Sequence, residues 1–478
     1  MPQFQEVPIV AEPIDRFQPL LGEEKMGTAK EAAARICKRL KGRVIWNVNS
    51  TAQGGGVAEM LHSLLPYVRG MEIDSRWAVM SGTPEFFRVT KRLHHALHGS
   101  AGDGSELGDG ARAVYERVTE QNADELEALV RPRDFVILHD PQSAGLISAL
   151  KRRGAIVIWR CHIGSDEPNE QVNLGWNFLA RYLVDADVTV FTREQYIPEC
   201  CDHGRSVIIP PSIDPFSPKN QEMSEATARA ILVHTGIVEG AVDPGAPPMY
   251  QREDGSPGRV DRYADVLRLG PPPRWNQPLV LQVSRWDPLK DPVGVMHGFV
   301  HYLHTAAAAG ACLVLAGPNV KAIPDDPEGA HMLDTVMDAW HRLPHSIRSR
   351  IHLVSLPMAD IEENAAIVNA LQRHASVVVQ KSLREGFGLT VTEAMWKARP
   401  VLASAVGGIQ DQIIDGNCGV LLRDPRDLNA FAEHLERLLT EREWAGGLGD
   451  NARQRVKEQF LPMRHLLQYA DLIERIDA

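Results

Sequence analysis

Short, uninterrupted apolar runs that alternate with helical stretches limit this chain to one kind of architecture. In the second half they are LVLQVS at 279–284, CLVLA at 312–316, RIHLV at 350–354, ASVVVQ at 375–380 and VLA at 401–403. Runs this short with no apolar–polar alternation fit strands buried on both faces, and strands separated by helices pair in parallel through crossovers. The first half carries a matching series: RVIWNV at 43–48, SRWAVM at 75–80, DFVILH at 134–139, AIVIWR at 155–160, DVTVFT at 187–192 and SVII at 206–209. The chain is therefore predicted to be α/β, with two Rossmann-like doubly wound parallel sheets in series. At 478 residues it is too long for a single ordinary core. The expected divisions are a polar lead-in at 1–42 with one helical segment, a first domain at 43–270, a second at 271–461, and a last helix at 462–478 that crosses back to the first domain. The irregular stretch 218–275, dense in Gly and Pro at 240–248 and ending in PPPRW, is read as a helical insert and linker of the first domain.

One stretch in the second half has the form of a ligand loop. From 380 to 408 the sequence runs QKSLREGFGLTVTEAMWKARPVLASAVGG, a strand end, a Gly-Phe-Gly turn and a helix start. Gly386 and Gly388 let the backbone approach a ligand around Phe387. The N–H groups of Leu389 and Thr390 open the helix, where an anion such as phosphate is favoured. A carboxylate is repelled by phosphate, so Glu385 and Glu393 fit better as acceptors for hydroxyls of a ribose and a sugar. Two solvated helix charges are the alternative reading of the spacing alone.

Cations appear where such a loop needs them. Ser284-Arg285-Trp286-Asp287-Pro288-Leu289-Lys290 follows the first strand of the second series, placing a guanidinium and an ammonium at the mouth of the sheet. Arg285 can grip a phosphate with two N–H groups and Lys290 acts as a point charge, which suits a departing diphosphate. In the first half, HDPQ at 139–142 and CHIG at 161–164 put His139, Asp140 and His162 at strand C-termini, where open α/β sheets bind ligands. Packed core histidines are the competing reading. The turn holding Gly54, Gly55 and Gly56 after the first strand opens a nucleotide fold but lacks the dinucleotide G-x-G-x-x-G spacing, which argues against a dehydrogenase.

Composition excludes several other classes. A net charge of −11 with no long Lys/Arg cluster argues against a nucleic-acid partner. No apolar run approaches the roughly 20 residues of a membrane span, and the N-terminus lacks a signal-peptide pattern, so a cytoplasmic location is expected. The six cysteines show no metal-site spacing and read as reduced thiols.

With its Gly-Phe-Gly turn and the site cations, the Glu385/Glu393 pair resembles the paired-glutamate motif of retaining GT-B glycosyltransferases. NSTAQGGGVAEML at 49–61, HDPQ, WRCHI at 159–163, IPPSIDPFSPKN at 209–220, QVSRWDPLKD at 282–291, DDPEG at 325–329, REGFGLTVTEAMWK at 384–397 and VGGI at 406–409 are similar to the trehalose glycosyltransferring synthase group within that fold. The resemblance implies two Rossmann-like domains facing an interdomain cleft. It implies transfer of glucose from a nucleoside diphosphate glucose to glucose, forming α,α-trehalose with retention and reversibly, without a metal or other cofactor, by a homodimer. By resemblance Gly55 and Gly56 lie beside the donor diphosphate, which Arg285 and Lys290 hold. His162 is near the donor 6-hydroxyl and Glu385 meets sugar hydroxyls. Leu389 and Thr390 amides meet the distal phosphate, and Glu393 the ribose. His139, Asp140 and Asp166 are the expected acceptor contacts. The family has an acid directly after the His-Ile pair, where this chain has Gly164, with Asp166 two places later. A trehalose phosphorylase of the same fold and a non-catalytic sugar or nucleotide binder are the other readings.

Overall fold

The structure, a computed structural model, describes residues 4–53, 55–305, 310–320 and 327–477. Gly54, and Asp325 and Asp326 of the DDPEG motif, lie outside the described residues. By internal contacts the chain divides into two units, one made of the chain through Ser212 together with the segment from Phe460, the other Ile213–Gln459.

In the first unit, strands β1 (Gln5–Val7), β2 (Ile45–Asn49), β3 (Ser75–Val79), β4 (Phe135–His139), β5 (Ile156–Cys161), β6 (Val188–Phe191) and β7 (Ser206–Ile208) form a seven-stranded sheet in the order β1-β3-β2-β4-β5-β6-β7. All pairs are parallel except β1 with β3. Successive residues of a strand face opposite sides. Accordingly Val136 and Leu138 join Trp46, Val48 and Trp159 in one core, while Phe135 and Ile137 join Ile45, Ile158 and Val190 in another. Both faces are covered, which is why these strands read as unbroken apolar runs. The second face is covered partly by the helices Gln18–Arg39 and Pro462–Ile476, through Ile36, Leu472 and Ile473. The first of these accounts for the one helical segment expected in the lead-in, which is thus part of the first unit, and it bends at Gly22, whose φ of 81° is not helical.

The second unit begins with a helix Glu225–His234 and a hairpin of β8 (Met249–Gln251) and β9 (Pro257–Arg259). Its sheet is built from β10 (Asp265–Leu267), β11 (Leu279–Val283), β12 (Cys312–Pro318), β13 (Ile351–Leu356), β14 (Val377–Gln380), β15 (Val401–Ser404) and β16 (Val420–Leu422), in the order β10-β13-β12-β11-β14-β15-β16. The parallel part has the doubly wound order in which the chain reverses direction between β11 and β14. The loops leaving those two strands part there and open a crevice. In the first sheet the corresponding neighbours are β2 and β4.

The expected boundary near residue 270 is corrected. Residues 213–270 belong to the second unit. The Asn369 amide, buried on helix Ile361–His374, donates to Pro218 O at 3.1 Å and Gln221 O at 2.9 Å. Glu363 on that helix accepts the Asp261 and Arg262 N–H groups at 2.7 Å each, and β10 pairs antiparallel with β13. Alongside the apolar face of helix Glu225–His234, where Ile231 and Leu232 are fully buried, buried polar side chains and a three-residue edge strand hold this segment. Among the described residues no helix is long and apolar enough to cross a membrane.

Replacing Asn369 with Ala strands the Pro218 carbonyl and is expected to destabilise the second unit by about 1–3 kcal/mol. Hydrogen exchange should locate the loss in residues 213–221; unchanged protection there would show that this amide does not anchor the segment.

Candidate active site

At the crevice of the second unit, the loop after β11 is shaped by its own polar groups. Asp287 accepts the Leu289 N–H at 2.8 Å, and the buried Gln282 donates to Lys290 O at 2.8 Å. The Leu383 N–H, just past β14, donates to Leu289 O at 2.8 Å, so the two diverging loops are tied together. The tie brings the Lys290 ammonium onto the Glu385 carboxylate, which also accepts from Ser382 Oγ at 3.2 Å. Only 18% of the Lys290 side chain and 10% of Glu385 are exposed. A second acid–base pair lies beside it. The buried Lys381 ammonium meets Asp291, a residue held at a left-handed φ of 49° that also caps helix Pro292–Leu303 through the Gly294 N–H at 3.0 Å. Arg285 is not drawn into either pair; its side chain is 65% exposed and its guanidinium lies 3.2 Å from Asp287.

The glycine turn is fixed from behind. Gly388 has φ +88° and precedes the helix Leu389–Trp396, whose first-turn amides have no carbonyl of the same helix to bond. Gly408 donates to Gly386 O at 3.1 Å, and a Cβ on Gly408 would fall 2.8 Å from Phe387 Cα, so glycine is required for that approach. The buried Gln412 donates to Phe387 O and accepts the Thr392 hydroxyl at 2.6 Å, bracing turn and helix together. Glu393 faces a different neighbourhood from Glu385. Its side chain is 5% exposed, with Oε1 3.5 Å from Lys219 Nζ and Oε2 3.5 Å from Gln372 Nε2.

In the first unit, Gly55, at φ +80°, precedes the helix Gly56–Gly70 that follows β2. His139, at the end of β4, is buried at 2% exposure, and its ring is given over to Asn47 and His162. Asn47 Oδ1 lies 3.3 Å from His139 Nε2, and His139 Nδ1 lies 3.1 Å from His162 Nε2. An amide oxygen only accepts, so His139 carries its proton on Nε2; His162 then donates from Nε2 and is left with Nδ1 as an acceptor. Burial, and secondarily the Arg160 cation, push the His139 pKa down to about 3, and the same causes hold His162 well below the usual histidine range. Burial pushes Asp140 up to about 7 against the pull of the His162 N–H, which it accepts at 2.8 Å.

Asp166, exposed, is engaged by the Arg193 guanidinium at 2.5 Å. The departure at Gly164 has a steric cause: a Cβ there would stand 2.1 Å from the Tyr196 ring, so this backbone cannot carry an acid at that position. Sequence reading missed Lys381, Lys219 and Arg160. Lys381 directly follows the strand run and was open to detection. Arg160, 1% exposed, was read only as a strand end; it bonds His465 at 2.9 Å and Tyr469 at 2.6 Å.

Residues 47–198 match the trehalose synthase N-terminal domain and residues 362–455 the glycosyl transferases group 1. The chain is 34% identical to a trehalose synthase of Pyrococcus horikoshii over 97% of this chain and 96% of that protein. It is 26% identical to a trehalose phosphorylase of Pleurotus pulmonarius over 86% of this chain but 54% of that longer protein. A UDP-forming α,α-trehalose-phosphate synthase of Burkholderia xenovorans, solved with glucose-6-phosphate, superposes with a TM-score of 0.66 at 17% identity, covering 91% of this chain and all (100%) of that one, a likeness of fold.

Neither imidazole of the His139–His162 pair is expected to titrate between about pH 5 and 8 while the protein is folded. Unfolded histidines take up protons near about pH 6.5, so stability is lost as pH falls below that value and goes on being lost toward the folded values. Imidazole nitrogen NMR reads both the charge and the Nε2–H form of His162. A pKa of about 6 to 7 traced to either residue contradicts the buried neutral pair.

Proposed function

Because the chain belongs to the trehalose synthase family of GT-B glycosyltransferases, we propose that it transfers glucose from a nucleoside diphosphate glucose to free glucose, forming α,α-trehalose with retention and reversibly. The observation that carries the reading is the Lys290–Glu385 pair at the β11/β14 crevice, beside the turn that opens the helix Leu389–Trp396. It supplies a cation for phosphate and an acceptor for sugar hydroxyls side by side.

Breaking the bond between the anomeric carbon and the diphosphate leaves the electron pair on phosphate oxygen. Lys290 and Arg285, with the first-turn amides of Leu389 and Thr390, meet that growing charge. Arg285 is exposed and only loosely tied to Asp287, so an arriving diphosphate can draw it over at little cost. Glu385 accepts from the donor sugar hydroxyls, and Glu393 from the ribose. By the family resemblance His162, neutral and presenting Nδ1, accepts a hydrogen bond from the 6-hydroxyl of the donor sugar. The departing phosphate oxygen takes the proton of the attacking acceptor hydroxyl, on the same face of the sugar, so no protein base or nucleophile is needed. In this scheme the protein's own cations carry the charge, and no step passes through a metal.

Product analysis with ADP-, UDP- and GDP-glucose, each offered with glucose, tests the reading. Trehalose from at least one donor is expected; glucose 1-phosphate from trehalose and inorganic phosphate, with no transfer from any nucleotide sugar, would identify a phosphorylase instead. Arg285→Ala and Lys290→Ala should each lower kcat by on the order of 10², because each removes stabilisation made in the transition state; the exposed Arg285 should go with little change in melting temperature, whereas loss of Lys290 strands the Glu385 carboxylate and should lower it as well. Near-full turnover of either variant at saturating donor contradicts its assignment.

A further inference from the structure

The inner side of helix Leu389–Trp396 is where the second unit spends buried polar groups that the scheme above does not use. Residues 218–221 pass beneath it and are pinned on both sides of Lys219. Asn369 donates to Pro218 O and Gln221 O, and Arg373 also donates to Gln221 O at 2.9 Å. Trp396 Nε1 donates to Asn220 O at 3.0 Å. The Lys397 ammonium, itself buried, donates to Asn220 Oδ1 at 2.9 Å and to Glu393 O at 3.2 Å, while Asn220 Nδ2 donates to Asp214 O at 3.0 Å.

This much fixed backbone is more than a linker needs, and its product is one placed charge. Lys219 Nζ stands 3.5 Å from Glu393 Oε1, and Gln372 Nε2 stands 3.5 Å from Oε2. A carboxylate has about four lone-pair sites, so one protein donor on each oxygen leaves each able to accept once more. Two acceptors side by side match the two hydroxyls of a vicinal diol. At 3.5 Å the contacts are long for hydrogen bonds, and the Lys219 contribution is chiefly charge. Burial pushes Lys397 down to about 7, with Glu393 pulling the other way. Lys219 is the cation that faces the carboxylate itself, whereas Lys397 reaches Glu393 at its backbone carbonyl.

We propose that Lys219 is a positioning residue for nucleotide recognition: held by residues 218–221, it keeps the Glu393 carboxylate turned so that both oxygens accept from the ribose diol of the donor. This rests on the transferase reading above. Lys219 touches no reacting atom. The contact it supports is present equally in the bound donor and in the transition state, so it acts on KM and not on kcat.

The test compares the wild type with Lys219→Met and Lys219→Arg, using nucleoside diphosphate glucose and its 2′-deoxyribose analogue with glucose as acceptor. Wild type should prefer the ribose donor. Lys219→Met should raise the KM for that donor about tenfold, keep kcat within about twofold and lose most of the ribose preference, and Lys219→Arg should restore it. A merely structural lysine would weaken both donors alike. If Lys219→Met does not fold, Lys219→Gln, which keeps a donor without the charge, is read in the same assay. Unchanged KM and unchanged ribose preference in an active, folded variant overturn the inference and leave the transferase reading intact; absence of transfer by wild type with every donor overturns that reading itself.

Discussion

The loops that leave β11 and β14 are joined by the ion pair between Lys290 and Glu385, and the site depends on that pair. Adjacent parallel strands whose connections run to opposite sides of a sheet leave a gap between their loops. Trp286 anchors the first loop in the core and Phe387 is buried in the second, but the polar segments that face the crevice have no apolar packing of their own. Charge supplies the missing constraint. With both side chains mostly out of water, each needs the other, and removing one partner strands an ion at a cost larger than the pair contributes. The Leu383 to Leu289 backbone bond and the neighbouring Lys381–Asp291 pair repeat the connection, so cation and acceptor are presented together before any ligand arrives.

The two units treat charge differently. In the second, Arg285, Lys290 and Lys381 each face an acid, so in the proposed reaction an arriving phosphate would redistribute pairs that already exist. That suits a chain of net charge −11, which would otherwise repel a diphosphate. In the first unit the strand ends at β4 and β5 hold neutral groups. Arg160 is buried among His465, Tyr469 and the Ile209 carbonyl, and its charge helps keep His139 and His162 unprotonated. A neutral histidine with a fixed acceptor nitrogen can read a hydroxyl, whereas a histidinium cannot accept at all.

What the sequence made legible follows from the range of the interactions. Strands buried on two faces are continuous apolar runs, and the Gly-Phe-Gly turn before a helix is a local pattern, so the central strands of both sheets and the loop from Glu385 to Glu393 could be read directly; the edge strands β1, inside the expected lead-in 1–42, and β16, three residues each, could not. Residues 213–270 could not. Their anchors, Asn369 and Glu363, sit in a helix where polar side chains normally mean a solvent face, and β10 is only three residues long. Lys219 stood inside a motif that was read, but nothing near it in sequence announced that its partner would be Glu393. His139 was correctly picked as a strand-end residue, yet its depth behind His162 depends on Asn47, which lies on a different strand. Gly164 shows the reverse case: its meaning comes from a tyrosine ring that occupies the space a side chain would need.

The central claim is that Lys290 and Glu385 work as one unit on the donor and are not simply a brace between two loops. A double-mutant cycle of Lys290→Ala, Glu385→Ala and the pair together, read in kcat at saturating donor alongside the unfolding midpoint, measures this directly. Groups that act together give losses that do not add. A unit acting on the donor makes the double variant scarcely slower than the worse single one. If the two losses in kcat multiply, with coupling found only in the unfolding midpoint, the pair is a structural brace and does not act on the donor.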